Sequence, residues 1–343
     1  MSVRRTTIIL FLIILIFPLT DAHAESKEKI YQSLHNGNLI LKLRVFDQEE
    51  KPTVYLTFDD GPSDLTSEVI DILKEEGVGA TFFVIGKSAI NNQDLLKRMV
   101  SEGHTIGNHS YTHNYSKIYH SFSAYFDEII KTEEVIYDIT GKRTSLIRAP
   151  GGTYMNWDSF YFYYMDQADY LIYDWNVDSG DASRKNVSAQ EILDQIKKSK
   201  FKEKLIILLH DGKGHKNTVQ ALPDIIKYYK DKGYQFKPLT EKVEPIMQPL
   251  GFNRWQRNDE FNFKENFTRL NNNKDNLPSQ NKLVEKEKFL LSSLNDDMIE
   301  EVDKKIIKDS YQIQTETFNF TKYSFFKDIR NVWSNIVIIF LTI

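Results

Sequence analysis

The chain has 343 residues, a formal net charge of −4 and no cysteine. That length allows one or two domains with a substantial core, and the near-balanced charge without a long basic block argues against nucleic-acid binding. The lack of cysteine excludes a disulfide framework and thiolate metal sites.

At the N-terminus, Arg4 and Arg5 precede an uninterrupted apolar run from Ile8 to Phe17, Pro18 ends it, and Ala22-His23-Ala24 forms a small-x-small cleavage site. This reads as a signal peptide over residues 1–24. The apolar run is shorter than the ~20 residues a spanning helix needs. An uncleaved anchor is the alternative, and both readings predict export to the cell surface or beyond it. Residues 25–51 form an N-terminal segment without assignment. Strands are then predicted at 53–58, 79–85, 145–147, 170–177, 204–209 and 234–236. Helices are predicted near 64–76, 92–102, 121–139, 188–199 and 217–231, with Gly77 and Gly141 as stops after two of them. Such alternation implies a parallel sheet with helices outside, over a domain spanning 52–240. Spacing alone does not separate a (β/α) barrel from an open doubly wound sheet. Beyond Thr240 the composition shifts to Asn, Lys, Glu and Asp, so residues 241–343 read as a polar, flexible, low-complexity extension. Within it, Lys282 to Lys305 is a candidate exposed helix. The apolar end from Val332 to Ile343 is too short to span a bilayer. Either terminus offers a possible membrane or cell-wall association.

The chemistry concentrates at strand ends. Thr57-Phe58-Asp59-Asp60-Gly61 closes the first predicted strand with two adjacent carboxylates, and neighbouring residues on an extended chain point in opposite directions. One carboxylate is thus free to bind a metal while the other moves protons. His-Ser-Tyr-Thr-His at 109–113 places His109 and His113 four residues apart, on one face if the backbone is helical. Two imidazoles and one carboxylate leave positions open for water, as in a catalytic zinc site. An iron(II) oxygenase triad is the rival, but it orders its ligands differently and has no use for a second Asp.

Three further segments complete a pattern: Arg148-Ala149-Pro150-Gly151-Gly152, Trp175 to Asp181, and Leu205 to Gly212. Together and in this order, the five segments resemble the NodB-type polysaccharide deacetylases, over roughly residues 52–240. The resemblance implies an α/β fold, an irregular (β/α) barrel of the NodB-homology type with fewer than eight complete strands. It implies Asp59 as general base, and Asp60, His109 and His113 as ligands of one divalent ion, zinc before cobalt or another. It further implies His210 as general acid, Arg148 as partner of the base, keeping Asp59 ionised, and Asp181 (failing that, Asp178) as the carboxylate orienting His210. Gly151 stands where the family holds the oxyanion on a backbone N–H, and Leu208 where it lines the acetyl-methyl pocket. Tyr154 and Trp175 are the aromatics expected to stack on substrate, with a core role equally open. Two departures stand out: Gly151 and Ala182 occupy places where many relatives carry Tyr and Trp, so the cleft is expected to be wider there. The implied activity is removal of N-acetyl groups from a GlcNAc-containing polysaccharide, peptidoglycan foremost. The alternatives are an O-acetyl xylan esterase and a non-catalytic glycan-binding protein.

Overall fold

A computed structural model describes residues 28–200, 202–255, 257, 263, 265 and 266. The expected signal peptide, the helix from Lys282 to Lys305 and the apolar end from Val332 therefore lie outside the described residues. Eight strands are β1 (Thr53–Asp59), β2 (Ala80–Val84), β3 (Thr105–Asn108), β4 (Leu146–Ile147), β5 (Leu171–Ile172), β6 (Val177–Asp178), β7 (Lys204–His210) and β8 (Gln235–Phe236). All pair in parallel, in the order β5-β4-β3-β2-β1-β7-β6, with β8 joining β1 at Thr53 and Val54, below the point where β2 begins to pair. The flanking helices are α1 (Asp64–Glu75), α2 (Gly86–Asn91), α3 (Gln93–Ser101), α4 (Tyr115–Ile118), α5 (Phe122–Thr140), α6 (Ser159–Gln167), α7 (Ala189–Lys197) and α8 (Lys216–Asp231).

The order of strands dictates a curl. β5 and β6 stand at opposite ends of the sheet, yet only residues 173–176 separate them. Five residue steps reach at most about 18 Å, whereas six flat inter-strand spacings would part the edges by about 29 Å. The sheet must therefore roll into the irregular (β/α) barrel that the resemblance implied.

This corrects the single strand expected over 170–177. Tyr173 ends its pairing by donating its N–H to the Ile147 carbonyl, and Asp174 donates to Ile246 instead of a strand. Asn176 then brackets β7 with its side chain, donating to the Lys204 carbonyl at 2.9 Å and accepting from the Ile206 N–H at 2.8 Å. β3 escaped prediction because Gly107 and Asn108 are poor strand formers. Helix α6 escaped because it is buried from Ser159 to Asp166 and shows no amphipathic period. Its start is fixed by Asp158, whose side chain accepts from the Tyr161 N–H at 3.1 Å.

Strand parity sorts the core. On β1, Val54, Leu56 and Phe58 face the helices, packing with Val69, Ile225 and Leu209. Tyr55 points inward with Phe83, Tyr173 and Ile206, plugging the barrel floor. Thr57 and Asp59 continue that inward row towards the C-terminal end, so the floor is apolar and the mouth polar. A separate aromatic cluster around Trp157, Tyr161 and Tyr164 takes in Leu34 from the 28–35 helix. The 38–46 segment is pinned beside it by Lys42 and Arg44, which reach Asp169 and Asp166. Past residue 240 the chain keeps packing: Tyr173 donates its hydroxyl to the Thr240 and Val243 carbonyls, and Trp255 donates to Asn156 at 2.9 Å.

Gly107 faces inward, and a Cβ there would collide with the Phe83 ring. Gly107→Ala should therefore cost about 1–3 kcal/mol by overpacking, read as an earlier denaturant midpoint with an unchanged m-value.

Candidate active site

At the end of β1 the backbone turns left-handed at Asp60 (φ +73°), which parts its carboxylate from that of Asp59. The adjacent strand β7 ends in register, Asp59 opposite His210. Their following residues interlock. A Cβ on Gly61 would strike the Asp211 carboxylate, and one on Gly212 would lie 2.8 Å from Asp60 Cβ. The two Asp-Gly steps thus need glycine because each packs against the other's aspartate. Asp211 itself accepts from Thr66 at 2.5 Å. Burial, aided by the charge of Asp60, pushes its pKa up to about 7.

His109 and His113 do not share a helix, contrary to the spacing argument. They lie on the loop after β3, with left-handed residues at Ser110 and His113. Glu128 on α5 holds that loop. One carboxylate oxygen accepts from the Tyr111 and Thr112 N–H groups at 3.0 and 2.6 Å and from the Thr112 hydroxyl at 2.9 Å. Lys117 neutralises the other oxygen at 2.7 Å. Asn108 adds a bond from Ser110 N–H at 3.0 Å. Nothing in the sequence singled out Glu128, which sits 16 residues from Thr112 in an ordinary helical stretch.

His109, Asp60 and His113 nevertheless converge. Asp60 Oδ1 lies 3.1 Å from His113 Nε2 and 3.5 Å from His109 Nε2. His109 Nδ1 meets the Arg148 carbonyl at 2.9 Å, so Nδ1 carries the proton and Nε2 faces the carboxylate as an acceptor. Burial, with the neighbouring His113, lowers the His109 pKa to about 3 and keeps it neutral. Asp60 Oδ1 is buried and accepts no hydrogen bond. Acceptors gathered around an unsatisfied carboxylate oxygen fit a cation, and the ligand atoms lie within 4.8 Å of one another.

Arg148 is fully buried beside them. Its guanidinium donates to Asp59 at 3.0 Å, the Thr57 hydroxyl at 2.6 Å, and the Tyr173 and Asp174 carbonyls at 2.8 and 3.2 Å. It also lies 4.3 Å from the Phe83 ring centroid. The expectation that Arg148 fixes Asp59 as a carboxylate captures half the balance. Burial raises the Asp59 pKa and outweighs the opposing pull of Arg148, His210 and His113.

Across the mouth, His210 Nδ1 lies 2.7 Å from Asp181 Oδ1. The other Asp181 oxygen accepts from the His210 N–H and the Thr218 hydroxyl, both at 2.8 Å. Asp178 is exposed and accepts from Gly180 N–H instead, so geometry selects Asp181 as the partner. Burial alone would lower the His210 pKa. The Asp181 bond and charge, with Asp59 and Asp60, raise it to about 9. His210 is therefore a cation at neutral pH, able to give up a proton from Nε2.

Leu208 is buried two residues before His210 on the same inward row of β7. Trp175 packs against Gly152 and lies 5.7 Å from Arg148, while Tyr154 is half exposed. The two sequence departures resolve differently. Beside Gly151 there is no added width, because a Cβ there would lie 2.8 Å from Tyr115 Oη. Tyr115 stands edge-on to His113, ring centroids 5.2 Å apart. Sequence reasoning passed over this residue. Ala182, by contrast, borders an open cleft of about 340 Å³.

A family profile described as polysaccharide deacetylase matches residues 47–162. A peptidoglycan-N-acetylglucosamine deacetylase of Bacillus cereus is 34% identical over 201 residues, 57% of this chain and 72% of that protein. The chain belongs to the polysaccharide deacetylase family. A putative polysaccharide deacetylase of Bacillus subtilis is 31% identical over 227 residues, 65% of this chain and 79% of its own length. Among solved structures, the catalytic domain of a peptidoglycan N-acetylglucosamine deacetylase from Eubacterium rectale superimposes with a TM-score of 0.56 at 30% identity, covering 60% of this chain and 96% of that one. The family consists of metal-dependent hydrolases, and the Asp60, His109 and His113 cluster is the candidate metal centre of this member.

Two expectations follow from the geometry. Glu128→Ala removes no ligand but frees the loop between the histidines. Metal affinity by titration calorimetry should fall about 10- to 100-fold. Asp181→Asn removes the charge that keeps His210 protonated. The alkaline limb of kcat/KM should then move to lower pH by at least about one unit, because burial, which disfavours the cation, is left unopposed.

Proposed function

We propose that this protein is an exported N-deacetylase acting on N-acetylglucosamine units of a polysaccharide, with peptidoglycan the preferred glycan. The observation that carries the reading is the unsatisfied Asp60 oxygen beside two histidines, with Asp59 and His210 in register next to it. Asp60, His109 and His113 would hold one divalent ion. Two nitrogens, one oxygen and no thiolate favour zinc, with cobalt as the alternative. When bound, that ion supplies the positive charge that polarises an acetamide carbonyl and acidifies a water.

The chain's own groups do the rest. Asp59, held by Arg148 and placed beside the metal ligands, accepts the water proton. Such a positioned base is worth about 10²–10⁴-fold. The Gly151 N–H donates to the oxygen that gains charge. His210, cationic and oriented by Asp181, delivers its Nε2 proton to the departing sugar nitrogen, which without it would be a poor leaving group. Leu208 lines the pocket for the acetyl methyl, with Tyr154 and Trp175 placed to contact the sugar. The signal-like sequence over residues 1–24 supports export, where wall glycan is the available substrate.

The test measures acetate and free amine released from peptidoglycan, chitin oligomers and acetyl-xylan. Acetate with stoichiometric amine from the first is expected. Acetate from xylan alone would establish an O-acetyl esterase. Asp59→Asn should keep its metal and lose at least about 10²-fold in kcat. Asp60→Asn should lose the metal. The reverse pattern would mean that the two carboxylates exchange roles.

A further inference from the structure

The cleft bordered by Ala182 lies behind the general acid, and its charge is not that of the rest of the molecule. Its volume is about 340 Å³, and Arg184, Lys185, Lys213 and His215 line it. Arg184 is paired with Glu191. Lys185 and Lys213 are exposed and make no ion pair among the described residues. The acid in the lining is Asp181, and both its oxygens are engaged by His210 and Thr218. Two lysines without an ion-pair partner among the described residues therefore line this space in a chain whose formal net charge is −4.

A second feature adds positive potential from the same side. Helix α8 is 16 residues long, and its N-cap, His215, makes no side-chain cap bond. This N-terminus, without a side-chain cap, lies at the cleft wall through His215, Asn217 and Thr218 and adds the positive end of the helix dipole there. The cleft is also joined to the reaction site, because the His215 ring stacks on His210 with centroids 5.0 Å apart and planes at 23°.

We propose that this cleft is a binding subsite for an anionic substituent on the sugar next to the one being deacetylated. The proposal rests on the deacetylase reading, in which His210 meets the sugar nitrogen, and on the His215 ring that stacks on His210 and lines the cleft, which puts the cleft next to the sugar being deacetylated. Chitin and xylan backbones are neutral there. Peptidoglycan carries a peptide with free carboxylates on every second sugar, and wall preparations also carry phosphodiester polymers. Both present an anion, and we assign the peptide carboxylate because it lies one sugar away from each N-acetylglucosamine. Arg184 is held off by Glu191, which leaves Lys185 and Lys213 as the contacts.

The test compares kcat/KM on peptide-bearing glycan strands with kcat/KM on a neutral chitin pentamer, for the full-length wild type and for Lys185→Ala/Lys213→Ala. Both lysines are exposed, so folding should be unaffected, and circular dichroism checks it. The ratio of the two kcat/KM values should fall roughly three- to tenfold in the variant, through KM, and the wild-type ratio should shrink as salt rises. Glycan strands treated with hydrofluoric acid, which removes phosphodiester polymers and keeps the peptides, should retain the full effect. An unchanged ratio in the variant overturns the subsite, and loss of the effect on acid-treated strands overturns the carboxylate assignment. Absence of acetate release by the wild type from both substrates is a different result and overturns the deacetylase reading itself.

Discussion

A buried guanidinium organises this structure. Arg148 has no exposed surface, and a charge so placed is tolerable only with its hydrogen-bonding capacity met. The groups that meet it come from distant parts of the chain: Thr57 and Asp59 from β1, and the Tyr173 and Asp174 carbonyls from the segment that carries the sheet from one edge to the other. Its own carbonyl accepts from His109. One residue thereby holds the Asp59 carboxylate, sets the tautomer of His109 and ties down barrel closure. Removing the side chain would leave a buried carboxylate and a buried hydroxyl without their donor, which costs more than the contacts themselves contribute.

Burial acts on every titratable group at the mouth, and the neighbours decide the outcome. At His109 burial prevails, aided by His113, and leaves a neutral ligand. At His210 the same desolvation loses to Asp181, Asp59 and Asp60, and leaves a cation. Two histidines in one site thus take opposite protonation states, because burial prevails at His109 while the hydrogen bond and charge of Asp181 prevail at His210. At Asp59 burial prevails over the pull of Arg148, His210 and His113, so its pKa is raised, and further positive charge nearby would act against that shift. Asp59 and the candidate cation site are therefore coupled: a divalent ion beside Asp60 would favour the ionised form of Asp59.

How much of this was legible in the sequence depends on whether a residue's neighbours are set by a strand or by a loop. Asp59, Arg148 and His210 were readable because each ends or follows an apolar run, and strand ends in a parallel barrel meet at one mouth. The ordered motifs supplied Asp181, and the hydrogen bond to His210 settled it against Asp178. The ordered motifs supplied the histidine pair as well, while its spacing left the backbone between the two rings open. Spacing of four suggests a helix, but a loop with two left-handed residues, braced by Glu128, brings the rings together. Glu128 and Tyr115 could not be anticipated, since their roles come from contacts 16 and 36 positions away, between segments with no local signal. The split of 170–177 into β5 and β6 was hidden likewise, because Asn176 substitutes side-chain bonds for a ladder.

The small residues at 151 and 182 show why a residue type does not by itself describe a cleft. Glycine at 151 predicts space, yet Tyr115, two residues past His113, fills it from a different element. An aromatic surface beside Gly151 is thus present without any side chain at that position. Alanine at 182 predicts space too, and there none of the neighbouring side chains moves in: the wall stays low and the surrounding lysines stay exposed. The difference is one of packing. Tyr115 is anchored by its ring contacts with His113 and Tyr119, so its position is paid for by the metal-binding loop. Lys185 and Lys213 lie on solvent-facing loops, with no packing demand to draw them inward. The wall beside Gly151 is therefore constrained by the same loop that carries the two histidines, whereas no comparable packing constrains the wall at Ala182.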